Sequence, residues 1–172
     1  MMRVAVFTIL LALIGSCGEE EPFVAQYEVN SETQVFVTAF FEEAAARGLK
    51  LDTSNLIVRF ENELSSEDGT PICGTTKGIL NNEKQNLVLI DSECLAWRHS
   101  NLSREILIYH ELGHVFLERI HLNDLFSNGD YKSLMFGGNW NILRYYTEDI
   151  TKRTYYVDEL FDPSTPTPDW AE

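Results

Sequence analysis

Apolar residues recur at three- and four-residue intervals over residues 31–47 (Val35, Phe36, Ala39, Phe40, Ala44), the spacing of one helical face. Ser31 is placed to cap the first turn and Gly48 to end the last. No polar cluster interrupts that face, so it predicts a packing helix. Residues 56–60 (LIVRF), 75–80 and 86–91 predict three strands, the last two joined by the polar turn Asn81-Asn82-Glu83-Lys84-Gln85. Leu87, Val88, Leu89 and Ile90 give the third strand the content of a buried one. A long helix follows over residues 101–118. Ile108, Leu112 and Val115 form one stripe, Tyr109 and Phe116 lie beside it, and Leu107 and Leu117 lie opposite. A helix apolar nearly all round is buried. After a loop rich in Asn, Gly and Asp, residues 155–161 predict a short helix. Residues 162–172 carry three prolines and predict a disordered tail. This order of elements predicts an α+β fold: a small mixed sheet packed on one helix and on a second, buried one. There are no internal repeats.

The N-terminus has a different character. Arg3 precedes an apolar run over residues 4–14, the length of a signal peptide and short for a bilayer span. The run ends in Ile14-Gly15-Ser16-Cys17, which resembles the lipobox of bacterial lipoproteins. The resemblance implies cleavage before Cys17 and acylation of that cysteine. It also implies an extracytoplasmic chain held to the cell envelope by its N-terminal lipid alone, at the outer membrane or cell surface. A plain secretory signal with an incidental cysteine is the competing reading. The expected organisation is a signal over 1–16, an acidic tether over 17–30, one domain over 31–161 and the tail over 162–172. Glu19-Glu20-Glu21 at the start of the tether resembles a surface-export signal of some Gram-negative lipoproteins; a solvated linker reads equally well.

Charge narrows the partners. With 13 basic and 27 acidic residues the chain carries a formal charge of −14, which argues against nucleic acid and against direct attraction to anionic lipid. Of the three cysteines, Cys17 is assigned to lipid, leaving Cys73 and Cys94 as an even pair in an oxidising compartment. Their spacing matches no paired-cysteine zinc pattern, so a disulfide is expected ahead of free thiols or metal ligands.

The chemistry is concentrated at His110-Glu111-Leu112-Gly113-His114, an H-E-x-x-H sequence on the predicted buried helix. Residues four apart share a helical face, so both imidazoles can reach one Zn²⁺. Glu111 points to the side, where it can act as general base toward a water activated at the metal. Two core histidines flanking a chance glutamate are the alternative. Against it stands the clustering of three of the four histidines within residues 110–121. His121 is the leading third ligand. A continuing helix would carry it about 10.5 Å along the axis from His114, so the helix must stop near Glu118 and the chain must fold back.

The run HELGHVFLERIH, followed by Ser133-Leu134-Met135-Phe136, resembles the metzincin clan of zinc peptidases, whose signature is H-E-x-x-H-x-x-G-x-x-H and then a Met-turn. The resemblance implies a zincin-like fold, His121 as third ligand and Met135 beneath the metal. It also implies an edge strand over 75–80 that pairs with extended peptide, with 86–91 inside it and a Cys73–Cys94 bridge fastening that edge to the loop entering the active-site helix. Two departures stand out. The third histidine comes one residue late, and Leu117 occupies the place of the turn-making glycine. Asp124, or Glu148 as in the gluzincin clan, are the other candidates for the third ligand. Gly137 stands where some clan members carry a transition-state tyrosine; Tyr131, Tyr145 and Tyr146 are alternatives that nothing separates. His99 reads as a surface residue.

The functional expectation is a zinc-dependent endopeptidase acting on peptides or proteins outside the cytoplasm. The alternatives are a non-catalytic zinc-binding surface lipoprotein and a metal-free adhesion module.

Overall fold

A computed structural model describes residues 24–78, 85–138 and 150–172. The signal segment, Cys17, the first part of the tether and the strand-connecting turn expected at 81–85 (save Gln85) lie outside the described residues, as do Tyr145, Tyr146 and Glu148. The fold is α+β. A four-stranded sheet of order β1-β2-β4-β3 comprises Glu28–Val29 (β1), Leu56–Phe60 (β2), Gly74–Gly78 (β3) and Asn86–Ile90 (β4). β1, β2 and β4 run parallel, and β3 pairs antiparallel with β4 at the edge. The helices among the described residues are Gln34–Ala46 (α1), Leu95–His99 (α2), Asn101–Leu117 (α3) and Ile150–Phe161 (α4).

β4 is central because both its faces are apolar. Val88 and Ile90 face the main core with α1 and α3, while Leu87 and Leu89 meet Ile57, Leu64 and Ile72 on the other side. α3 is the spine of the main core, buried continuously from Ile106 to Gly113. Its start is fixed by a reciprocal cap in which Ser100 Oγ accepts from Ser103 N at 3.1 Å and Ser103 Oγ accepts from Ser100 N at 3.0 Å. The Cys73–Cys94 disulfide, with Cα atoms 5.4 Å apart, ties the residue before β3 to the residue before α2.

Four expectations need correction. α1 starts from Thr33, not Ser31. Thr33 is fully buried with its hydroxyl donating to Asn30 O, and the helix buries Val37 while Val35 is left 64% exposed. Phe36, Val37, Phe40 and Ala44 form the stripe that meets the core, and Val35 falls just outside it. The tether does not extend to Asn30, because Glu28 and Val29 join the sheet beside Ile57 and Val58. α4 is longer than expected, beginning at Ile150. The proline-rich tail is packed, not disordered: Trp170 meets Phe126 and Tyr155 edge-on, and Lys152 lies 4.9 Å from its ring centroid. Ser127 and Asn128 donate to the carbonyls of Ala171 and Trp170 at 3.0 Å each. One aromatic anchor with backbone bonds outweighs the composition of the segment.

Trp170→Ala should therefore cost about 2 kcal/mol, below the 3–5 kcal/mol of a fully buried tryptophan because the residue is only partly buried. Urea unfolding of the two proteins measures it, and a change within error would mean that the tail does not anchor the fold.

Candidate metal and catalytic site

His110 and His114 lie one turn apart on α3, with Nε2 atoms 3.1 Å from each other. Each ring is held from behind by a backbone carbonyl. His110 Nδ1 donates to Leu134 O at 2.8 Å, and His114 Nδ1 donates to Arg119 O at 2.6 Å. A carbonyl oxygen can only accept, so both Nδ1 atoms carry the proton and both Nε2 atoms present bare lone pairs.

The reversal after α3 solves the problem posed by Leu117. The left-handed residue is Glu118, at φ 52°, and Leu117 stays helical. The N–H groups of Glu118 and Arg119 both turn back to Gly113 O, a wider closure than the usual helix end. The turn-making position thus moves by one residue, as does the third histidine. His121 arrives with Nε2 at 3.2 Å from His114 Nε2 and 3.3 Å from His110 Nε2. Of the other candidates, Asp124 is not in the cluster and Glu148 lies outside the described residues. His99 is exposed and apart from the group.

Three Nε2 atoms in a near-equilateral triangle, at least two of them without a proton, repel one another unless a cation lies between them. Two imidazoles bound at about 2.1 Å to one tetrahedral ion stand about 3.4 Å apart, close to the spacing here. The donor set and its hydrogen-bonded outer partners fit a divalent metal ion.

Glu111, next along α3, is 3% exposed and lies in the floor of a cleft of about 580 Å³ that the three histidines also line. Burial alone pushes its carboxyl up to about 8. The carboxylate rests against Gly74 at the start of β3, so closely that a Cβ there would come 2.5 Å from Oε1. Cys73 to Thr76 form one wall of the cleft. Because Asp91 N donates to Cys73 O at 2.8 Å, the alternation of an antiparallel pair turns the backbone groups of Gly74 and Thr76 away from β4. Among the described residues no other strand pairs with this side of β3.

Met135 is fully buried and follows Leu134, whose carbonyl holds His110. Its position depends on Gly113, where a Cβ would meet Met135 Sδ at 3.0 Å and Leu160 Cδ1 at 2.9 Å. Leu122 N donates to Met135 O at 2.8 Å, joining the segment after His121 to the methionine segment. At Gly137 a Cβ would strike His121 Nδ1 at 2.5 Å, so the residue is there for close passage beside the third ring. Tyr131 stacks on Phe136, with ring centroids 3.5 Å apart. Gly74, Gly113 and Arg119 escaped the sequence reading. Only Gly113 carried a signal, as a glycine inside a buried helix.

The pKa shifts oppose one another. Burial holds His110 down to about 3 from 6.5, with the neighbouring imidazoles adding to that effect and the Leu134 bond opposing it; His114 is lowered for similar reasons. Below pH 6.5 the unfolded chain takes up protons that the folded histidines refuse, so stability falls as pH drops. Glu111 keeps its proton to about 8 when folded and loses it near 4.5 when unfolded, so its contribution falls as pH rises through that window. Between 6.5 and 8 the glutamate dominates among these three groups. Metal-free protein should accordingly lose stability from pH 6.5 to pH 8, and Glu111→Gln should flatten that limb in chelator-treated denaturation curves. An unchanged limb in the variant would contradict the assignment.

No protein-family model, curated protein or solved structure matches this chain.

Proposed function

We propose that this protein is a zinc-dependent endopeptidase of metzincin-like design, anchored outside the cytoplasm by lipid on Cys17. The observation that carries this reading is the meeting of three imidazole nitrogens, 3.1–3.3 Å apart, with the buried Glu111 carboxylate in one cleft beside the edge strand β3. Zinc suits a neutral three-imidazole set, and when bound it would acidify a water and polarise a carbonyl.

The chain's own groups supply the rest. An extended peptide pairs with the outward backbone groups of Gly74 and Thr76, which fixes its direction along the cleft. Glu111 takes a proton from the attacking water and passes it to the leaving amine. Burial raises this carboxyl in the metal-free protein, and a bound cation would draw it back toward the ionised form that a base needs. Cys73, locked to Cys94, holds the start of the edge strand against Glu111. The disulfide accords with an oxidising compartment, and the net charge of −14 supports peptide over nucleic acid as partner.

A peptide-library assay on wild type and Glu111→Ala, with zinc content measured in each, tests the proposal. Expected are one zinc per chain in both and cleavage lost by at least about a thousandfold in the variant. Full zinc without cleavage in either protein would favour a non-catalytic zinc-binding lipoprotein instead; absence of zinc in both would favour a metal-free module. Gly74→Ala should keep the zinc yet lower kcat/KM by about tenfold or more, because the new methyl displaces the Glu111 carboxylate. Wild-type kinetics in that variant would remove Gly74 from the account.

A further inference from the structure

The acceptor that fixes His114 is the carbonyl of Arg119, on the exposed-looking turn after α3. The Arg119 side chain runs the other way and is only 11% exposed. Its Nη1 donates to Glu159 O at 2.6 Å and Leu160 O at 2.8 Å, and its Nη2 pairs with Glu159 Oε1. Those two carbonyls lie in the last turn of α4, where unpaired backbone oxygens and the helix dipole favour a cation. The Glu159 side chain is 5% exposed, so this ion pair is shielded from water and its geometry is held closely. The residue is therefore fastened at both ends: side chain to α4, carbonyl to the imidazole.

We infer that Arg119 is a positioning residue for the metal site, and that the end of α4 sets the orientation of His114 through it. The turn at Glu118 is wide and its left-handed residue is not glycine, so the reversal is not favoured on its own. The guanidinium fork supplies what the turn lacks. With Arg119 clamped, its carbonyl stays 2.6 Å from His114 Nδ1, keeping the Nε2 lone pair directed at the other two imidazoles. Leu160, next to Glu159, packs against Gly113 one residue before His114, so the same helix end supports the ligand from a second side.

This inference rests on the metal-site reading but not on peptidase activity, and its test reads metal affinity. Zinc dissociation constants of the full-length chain are measured by competition with a chromophoric chelator. The variants are Arg119→Lys, which keeps the charge but loses the fork, and Glu159→Gln, which keeps the shape but loses the ion pair. Arg47→Met is the control, because Arg47 ties α1 to Asp158 of α4 without touching the metal site. All are compared at a temperature where unfolding curves show the metal-free proteins folded. Both test variants should bind zinc about 10–100-fold more weakly, with the control within about threefold of wild type. Unchanged affinity in Arg119→Lys and Glu159→Gln would overturn the inference, as would an equal loss in Arg47→Met, which would assign the effect to helix docking in general. Wild type that binds no zinc would sink the metal reading and this inference together. Zinc binding without peptide cleavage would leave this one standing.

Discussion

One helix can offer a metal ion two imidazoles four residues apart, and no third. The next residue on the same face is a further turn away, beyond bonding distance. Everything distinctive in this structure follows from the need to bring His121 back. α3 stops at Leu117, Glu118 takes the left-handed conformation, and the chain returns so that three Nε2 atoms lie within 3.3 Å of one another. A glutamate is a poor residue for that conformation. The surrounding contacts must hold the turn, and they do so from two directions: Arg119 reaches α4, and Leu122 bonds to the backbone of Met135.

The same logic explains three of the glycines around the site. Gly113 lets Met135 and Leu160 come against α3 beside His114, Gly137 lets the backbone pass His121, and Gly74 lets β3 approach Glu111. In each case a side chain of the site occupies the volume that a Cβ would take. The edge strand, the methionine segment and α4 thus close on α3 from different sides. The disulfide at Cys73 and the aromatic seat of Trp170 secure two of those approaches at some distance from the three histidines.

What the sequence disclosed was local. β2 and α3 were legible because their patterns are strong: LIVRF for the strand, and an all-round apolar helix containing HELGH. The requirement that the helix end near Glu118 was legible from geometry alone. What stayed hidden depends on partners distant in the chain. Nothing near Gly74 announces that a carboxylate 37 residues later will rest on it, and nothing near Arg119 points to Glu159. Glu28 and Val29 are too few to read as a strand until Ile57 and Val58 stand beside them. Trp170 was outvoted by its prolines, although a single large aromatic in a tail is itself a sign of anchoring.

The central claim is that three imidazoles, the third being His121, close on one ion. Zinc K-edge X-ray absorption on protein loaded with one equivalent of Zn²⁺ tests it most directly, with His121→Ala measured alongside. The account predicts three imidazole nitrogens at about 2.0–2.1 Å in wild type and two in the variant. Two imidazoles and a carboxylate oxygen in wild type, with the same spectrum in His121→Ala, would contradict it and return the third position to Asp124 or Glu148.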